Sequence, residues 1–216
     1  MRRPKVPMRW MLAALIVWRA AAGGTADGEG GKAARIRIQT YDFAKINEKA
    51  LTRVEGIASE IFASAGLNAE WETGPVAEGR QLGNDFSGSN GNICAVPLAS
   101  AQVRVQFLAR APSGFSPQAL GYALPCAQFG IQVSIYLDRV AAVSASTNAT
   151  YERVLGYAIA HEVGHVLLRS SSHASSGVMK AVWSKIDWQR ASFMKVEFSA
   201  EERELVLVEL RKLPTD

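Results

Sequence analysis

Four residues of this sequence have types and a spacing that can support chemistry. His161, Glu162 and His165 lie within five consecutive positions, and His173, the third and last histidine, follows eight positions later. Residues four apart on a helix lie on the same face one turn apart, so His161 and His165 can both reach one metal ion. Glu162 stands beside them and can take a proton from water without binding the metal itself. The spacing therefore predicts a catalytic zinc site.

The third metal ligand is open to more than one interpretation. A catalytic zinc ion is typically held by three protein ligands and keeps one open position. His173 lies beyond the end of the predicted helix, where a loop can bring it back to the metal. Alternatively, His173 is an exposed residue of a serine-rich loop, and Asp187 or Glu197 supplies the third ligand. For the whole group, the alternative is a helix with surface histidines and no metal.

Hydrophobic periodicity predicts the elements that must position these residues. Apolar side chains recur at helical spacing after Thr150, a favourable N-cap, which predicts a helix from there through Leu168 that carries the two paired histidines. A strand, a helix and a second strand before it predict a βαβ unit, and the whole pattern indicates one mixed α/β domain. The other predicted elements are strands at 35–41, 67–71, 103–107 and 130–137, helices at about 47–65 and from 199, and a long loop at 72–100. Gly66 stands where a C-terminal cap of the first helix is expected, and Ser199 and Glu202 fit a capping box at the start of the last one.

The distribution of charge argues against a nucleic-acid partner. The chain has 216 residues, of which 48% are hydrophobic, and a net charge of +4. Five basic residues and no acidic ones lie in residues 1–22. Without them, the basic residues number 19 against 20 acidic ones, and the net charge becomes −1. The rest of the chain therefore lacks the basic excess that binding to phosphate backbones requires.

The N-terminal segment has the pattern of a secretory signal. A basic start precedes an apolar stretch from Trp10 to Trp18, and small residues follow up to Ala22. The stretch is too short to span a bilayer, which takes about 20 residues. We expect a signal peptide at 1–22, a flexible leader at 23–34 and a domain at 35–216. That domain is then a secreted or periplasmic monomer with no stable membrane insertion.

The two cysteines predict a disulfide bond. An even number of cysteines in an exported chain is typical of disulfide pairing, here between Cys94 and Cys126. Two buried thiols are one alternative. The other is a latent form in which the Cys94 thiolate binds the metal.

The run from His161 to Leu168, with His173 and Met179 after it, resembles the zincin metallopeptidases. Within them it is similar to metzincins of the matrixin type and to uncharacterised exported bacterial proteins that are considered metalloproteases. Their pattern HExxHxxGxxH is followed by a turn with a methionine beneath the zinc. This chain departs from the pattern at two positions, since Leu168 stands at the glycine and Ser171 at the third histidine.

The resemblance implies a fold and an activity. It implies a twisted mixed sheet with an antiparallel edge strand, a backing helix and an active-site helix. It also implies a secreted endopeptidase with one Zn²⁺, Glu162 as general base and then acid, and a peptide or protein substrate. Two alternatives are a zinc-stabilised peptide-binding module without turnover and a zinc amidase that acts on cell-wall peptides.

The resemblance also implies roles for residues around the zinc. Met179 would form the floor of the site, and Tyr122 would polarise the scissile carbonyl, although a buried aromatic is the favoured interpretation of Tyr122. Trp183 and Trp188 would line a pocket or pack beneath the helix, and packing is favoured. The strand that pairs with substrate would contain Gly130, Ile131, Gln132 and Val133.

Overall fold

The computed structural model describes residues 33–75, 100–127 and 130–213, and they form a sheet with helices. The five strands of these residues lie in the order β2-β1-β3-β5-β4. All neighbouring strands are parallel except β4, which lies antiparallel to β5 at one edge. The predicted mixed α/β class is confirmed. In chain order the elements are β1 (Ala34–Asp42), α1 (Glu48–Ser64), β2 (Leu67–Thr73), β3 (Gln102–Leu108), β4 (Gly121–Ala123), β5 (Val133–Tyr136), α2 (Leu137–Ser146), α3 (Tyr151–Leu168), α4 (Lys185–Phe193) and α5 (Ala200–Arg211).

The first three elements form the βαβ unit that the sequence predicts. The side chain of Asn47 caps α1 by accepting hydrogen bonds from the backbone N–H groups of Lys49 and Ala50. The helix ends at Ala65, and Gly66 then adopts φ +77°, a left-handed conformation that glycine adopts without strain. One face of α1 is buried, and β1 and β2 pair in parallel over seven residues. This unit builds the half of the sheet far from the histidines.

The long helix α3 lies at the centre of the core. Its N-cap is Thr150, as predicted, and 13 of its 18 residues are buried. A helix that is apolar nearly all round must be covered on several sides, and α3 packs against α1, α2, α5 and the strands β4 and β5. At Gly156 a Cβ atom would lie 2.7 Å from Cγ2 of Ile57, so this glycine allows α1 to approach closely. His161 and His165 therefore lie on the helix that has the largest buried share among the described residues.

The predicted edge strand at 130–137 is wrong in both extent and position. The strand covers only Val133–Tyr136, and it lies inside the sheet between β3 and β4. The backbone of Gln132 is bonded on both sides, because its N–H donates to Arg104 O at 3.0 Å and its carbonyl accepts from Leu124 N at 2.8 Å. Gly130 precedes the strand, and Ile131 is buried. The segment therefore has no free edge for a substrate.

The error has a physical cause. Alternation of polar and apolar residues at 130–137 predicts a half-exposed strand, but the polar residues Gln132 and Ser134 are as buried as their apolar neighbours. The Gln132 side chain accepts from Arg104 N at 2.9 Å, and the Gln106 side chain donates to Ser134 Oγ at 2.8 Å. Hydrogen bonds inside the sheet satisfy these groups, so the polar positions do not mark a face open to solvent.

The C-terminal part contains one confirmed and one unpredicted helix. Helix α5 begins with the predicted capping box of Ser199 and Glu202. Helix α4 begins with a second capping box, of Ser184 and Asp187, that the sequence reading did not identify. None of the helices in the described ranges is long and apolar enough to cross a membrane. The predicted signal peptide at 1–22, most of the leader and Cys94 lie outside the described residues, so export and the Cys94–Cys126 disulfide stay predictions.

Candidate metal centre

The structure brings the three histidines together. His161 and His165 lie one turn apart on α3, and His173 returns from the loop after the helix. Each offers one ring nitrogen, and these three atoms lie within 4.8 Å of one another. They are the one such group of potential metal ligands found in the described ranges. The two carboxylates considered as replacement ligands, Asp187 and Glu197, do not belong to it.

Backbone carbonyls set the orientation of two imidazole rings. Nδ1 of His161 lies 2.8 Å from Val178 O, and Nδ1 of His165 lies 2.7 Å from Ser170 O. Because a carbonyl oxygen can only accept, each Nδ1 carries the hydrogen, and each Nε2 is left with a lone pair. A hydrogen bond of this kind is the usual outer support of a metal-binding histidine.

The distance between the two Nε2 atoms fits a metal ion. Nε2 of His161 and Nε2 of His165 are 3.2 Å apart. Two lone pairs that face each other at this distance repel unless a cation lies between them. Zinc–nitrogen bonds of about 2.0–2.1 Å in tetrahedral geometry place two nitrogen ligands about 3.3 Å apart. The donor set and its spacing therefore fit zinc.

Burial keeps the two helical histidines neutral, which is the form that binds a metal. The pKa of His161 is lowered to about 4, mainly by burial; the hydrogen bond to Val178 opposes this shift, and the neighbouring His165 and His173 contribute to it. Burial also lowers the pKa of His165. Removing a cationic imidazole from water is unfavourable, so both rings are neutral near pH 7. No protons have to be removed from them before an ion can bind there.

The end of α3 explains how the chain returns to the site. Arg169 adopts φ 51° and ends the helix directly after Leu168, where the related pattern has a glycine. This reversal places Ser170 O against the His165 ring. The two extra residues before His173 are accommodated by this turn.

The loop after His173 is held in place by backbone hydrogen bonds. Ala174 N donates to Met179 O at 2.9 Å, and Val178 N donates to Glu197 O at 3.2 Å. The side chain of Met179 is almost fully buried, and it packs on Gly164 of α3 so closely that a Cβ atom there would lie 2.5 Å from its Sδ. Met179 therefore packs on the helix that carries His161 and His165, and its role as the floor of the site stays a prediction.

Glu162 lies between α3 and the edge strand β4. It is 8% exposed, and a Cβ atom on Gly121 would lie 2.8 Å from Cγ of Glu162. Only glycine leaves room for the carboxylate at this point. Burial raises the pKa of Glu162 to about 8, because the low-dielectric surroundings disfavour the charged form. A nearby dication would favour the ionised form.

A cleft of about 560 Å³ runs over the histidines and Glu162. One wall is the segment 116–123, which includes β4, and the other is the segment 180–183. Trp183 and Trp188 line the cleft, and they also pack on each other and on Tyr157, with ring centroids 4.5–6.4 Å apart. The cleft thus gives an extended ligand access to all four polar residues of the site.

Tyr122 lies on the edge strand β4 beside the cleft. It lines the cleft together with Gly121, and its ring packs edge-on against Phe115 at 5.3 Å. Its backbone pairs with Ser134 of β5. Both interpretations of Tyr122, a group that polarises the scissile carbonyl and a packing aromatic, fit this position and stay predictions.

Asp187 is engaged in a structural role. Its Oδ2 accepts hydrogen bonds from Lys180 Nζ at 2.6 Å and from Ser184 N at 2.7 Å. Burial acts to raise the pKa of Asp187, but these hydrogen bonds outweigh it and lower the pKa to about 2. The carboxylate therefore caps α4 and does not reach the histidines.

The fold is similar to that of a known protein structure. No protein-family model and no curated protein matches the chain. Among solved structures, archaemetzincin from Methanopyrus kandleri is similar with a TM-score of 0.50 and 15% identity, over 82% of this chain and 97% of that one. Metalloproteinase-II from Bacteroides fragilis gives 0.49 and 12% identity, over 84% of this chain and 54% of that one. The chain thus has an archaemetzincin-like fold.

Four supports of the site were not identified from the sequence. They are the carbonyls of Val178 and Ser170, which hold the rings, and the glycines 121 and 164, which admit Glu162 and Met179. Every residue has a backbone carbonyl, so the residue type does not indicate which carbonyl contacts a histidine ring. Gly164 lies inside the histidine motif, so its small size was the one available signal.

Proposed function

We propose that this chain is a zinc-dependent peptidase. His161, His165 and His173 hold one zinc ion, and Glu162 is the catalytic acid and base. The convergence of three imidazole nitrogens within 4.8 Å, two of them with lone pairs facing each other, is the observation that supports the proposal most strongly. The archaemetzincin-like fold agrees with it.

Zinc in this position supplies Lewis acidity, which lowers the pKa of water and polarises a peptide carbonyl. Glu162 lies beside the histidines and faces the same cleft. Its carboxylate accepts the proton of the attacking water and returns it to the leaving amine, so that one group acts as base and then as acid. The burial of Glu162 under β4 holds the carboxylate in one place between these two transfers.

The outer edge of β4 is proposed to bind the substrate backbone. Tyr136 N bonds to Leu120 O and Leu124 N bonds to Gln132 O, so residues 120, 122 and 124 direct their polar backbone groups towards β5 and its flank. By alternation, Gly121 and Ala123 direct theirs outwards. An extended peptide can add to this edge as a further strand, over the cleft and next to Glu162. This edge replaces the segment 130–133 that the sequence suggested.

The test is to measure zinc content and hydrolysis together. Wild-type protein and the Glu162→Gln variant are purified without chelator, their zinc is determined by mass spectrometry, and a mixed peptide pool is added. We expect about one zinc per chain in both and a loss of hydrolysis of about 10²–10⁴-fold in the variant. Equal hydrolysis by both at equal zinc would refute the role of Glu162. Zinc without hydrolysis in the wild type would favour a peptide-binding module instead.

We also propose that the protein is exported, with cleavage near Ala22, and acts as a monomer outside the cytoplasm. The basic and apolar pattern of residues 1–22 supports this proposal. N-terminal sequencing of the protein recovered from a secreting host tests it.

A further inference from the structure

One surface next to the cleft has an unusual composition. Six large apolar side chains among the described residues are exposed, and four of them lie between positions 182 and 194. We call these four the α4 stripe: Val182, Ile186, Phe193 and Met194, with exposed fractions of 55%, 68%, 85% and 62%. Scattered single apolar residues are normal on a surface, but such a concentration is typical of an interaction site.

The stripe begins at the cleft. Val182 is one of the residues that line it, together with Trp183. Ile186 and Phe193 are seven positions apart on α4, so they lie on nearly the same face and about 10 Å apart along the axis. An extended peptide covers that distance with about three residues. A short extended segment can therefore contact both Ile186 and Phe193, and Val182 places the start of the stripe at the cleft.

The charges around the stripe are of one sign. Lys185, Arg190 and Lys195 lie within or beside it, and no acidic group of the described residues comes within ion-pair distance of them. The one acid between positions 180 and 195 is Asp187, which is bound by Lys180 and Ser184. Arg190 lies one turn after Ile186 and one turn before Phe193. The face thus alternates apolar, basic and apolar.

We propose that the α4 stripe is an exosite that binds an apolar segment with acidic residues, located beside the cleaved bond of a protein substrate. The inference rests on the proposed function, since the stripe is the continuation of the cleft. A second copy of the chain fits the surface less well, because a symmetric interface would place the two basic sets against each other.

The first experiment measures binding and needs no hydrolysis. The probe is a fluorescent seven-residue peptide of alternating leucine and aspartate, and a second probe carries lysine in place of aspartate. We expect the full-length protein to bind the acidic probe more tightly. The double variant I186S/F193S should bind it about tenfold more weakly, because two apolar side chains that would become partly buried in the complex are removed. Leu205→Ser is the matched control, because Leu205 is 56% exposed on α5 and lies outside the stripe.

The second experiment measures cleavage. The most rapidly cleaved short peptide of the pool is compared with the same peptide extended by the acidic probe at either end. We expect the ratio of kcat/KM for long and short peptides to fall about tenfold in I186S/F193S and to stay unchanged in L205S. The charge-reversal variant K185E/R190E, which changes only exposed groups, should lower the same ratio independently.

The outcomes separate the exosite from the peptidase. Cleavage of the short peptide with an unchanged ratio in both stripe variants would overturn the exosite and leave the peptidase intact. Probe binding that depends on the stripe, without cleavage of any peptide, would support a binding site for acidic apolar segments at the stripe and would contradict the peptidase. If the stripe variants lose only binding to phosphatidylglycerol vesicles, or change only the oligomeric state, the surface faces a membrane or a second copy and the proposal is wrong.

Discussion

Helices α3 and α4 have opposite distributions of polarity. Helix α3 has polar groups inside, since Glu162 and His165 are buried among apolar neighbours. Helix α4 has apolar groups outside, since Ile186 and Phe193 are exposed and only Trp188 and Ala191 are buried. Burial of a polar group and exposure of an apolar one are both unfavourable unless a partner compensates. Each departure therefore agrees with a proposed binding partner, an ion for α3 and a peptide segment for α4.

The two regions also differ in how firmly they are held. The histidine rings of α3 are bound by the carbonyls of Val178 and Ser170, and Met179 fills the space below Gly164. The exposed side chains of α4 have no comparable supports. Substitutions at the metal centre should therefore have large effects on metal and activity, and substitutions on α4 should have small ones.

The largest effect is expected at the most exposed member of the metal centre. His173→Ala removes one of three nitrogen ligands, and we expect zinc affinity to fall by at least about 100-fold, since a loss of outer support alone costs 10–100-fold. Competition with a chromophoric chelator measures the affinity. Ser172→Ala, in the same exposed loop, is the control. Unchanged affinity in His173→Ala would show that the third ligand is another residue and that His173 is only a loop histidine.

The next effect concerns the contact between β4 and Glu162. Gly121→Ala would place a Cβ atom 2.8 Å from Cγ of Glu162 and 2.7 Å from Ser134 O. We expect kcat to fall by about 10²-fold at unchanged zinc content, because a small displacement of a catalytic group has an effect of this size. Steady-state kinetics on the best pool peptide measure it.

The control for this variant is a glycine without neighbours. A Cβ atom on Gly56 of α1 would meet nothing within 4 Å. Gly56→Ala should leave kcat unchanged and stabilise the fold by about 0.5–1 kcal/mol, because alanine is favoured over glycine inside a helix. Equal kcat in Gly121→Ala and Gly56→Ala would contradict the positioning of Glu162 by β4.

The smallest effect is expected at the start of α4. Asp187→Asn should lower stability at neutral pH by about 0.5–2 kcal/mol, because it weakens the capping box and the contact with Lys180. The hydrogen bonds that outweigh burial lower the pKa of Asp187 from 3.8 to about 2 in the folded protein. Its contribution is therefore complete above pH 4 and is lost as the pH falls towards 2.

Urea unfolding of both proteins at several pH values checks this prediction. The difference between wild type and Asp187→Asn should be constant above pH 5 and should shrink between pH 4 and pH 2. A difference that persists unchanged at pH 2 would show that the carboxylate charge does not stabilise α4. Zinc content at neutral pH should be the same in both proteins, because Asp187 is not one of the ligands.

The sequence predicted some elements well because their signals are local. The N-cap of α3, the capping box of α5 and the glycine after α1 were predicted from residue type, since each depends on contacts within a few positions. The strand β5 was misplaced because Gln132 and Ser134 form hydrogen bonds with residues of β3. These partners are distant in sequence, so the alternation pattern does not indicate them. Helix α4 was not predicted because its apolar residues lie on two opposite faces, Trp188 and Ala191 on one and Ile186 and Phe193 on the other, and so give no single amphipathic pattern.

The sequence alone determined which helical residues can share a metal: His161 and His165 are four positions apart, and helical geometry is local. Tertiary structure decided the rest. It brought His173, and not Asp187, to the other two histidines, and it placed β4 instead of the segment 130–137 at the edge of the sheet. These outcomes depend on which strand lies at the edge and how a loop returns, and both are set by packing between segments far apart in the chain.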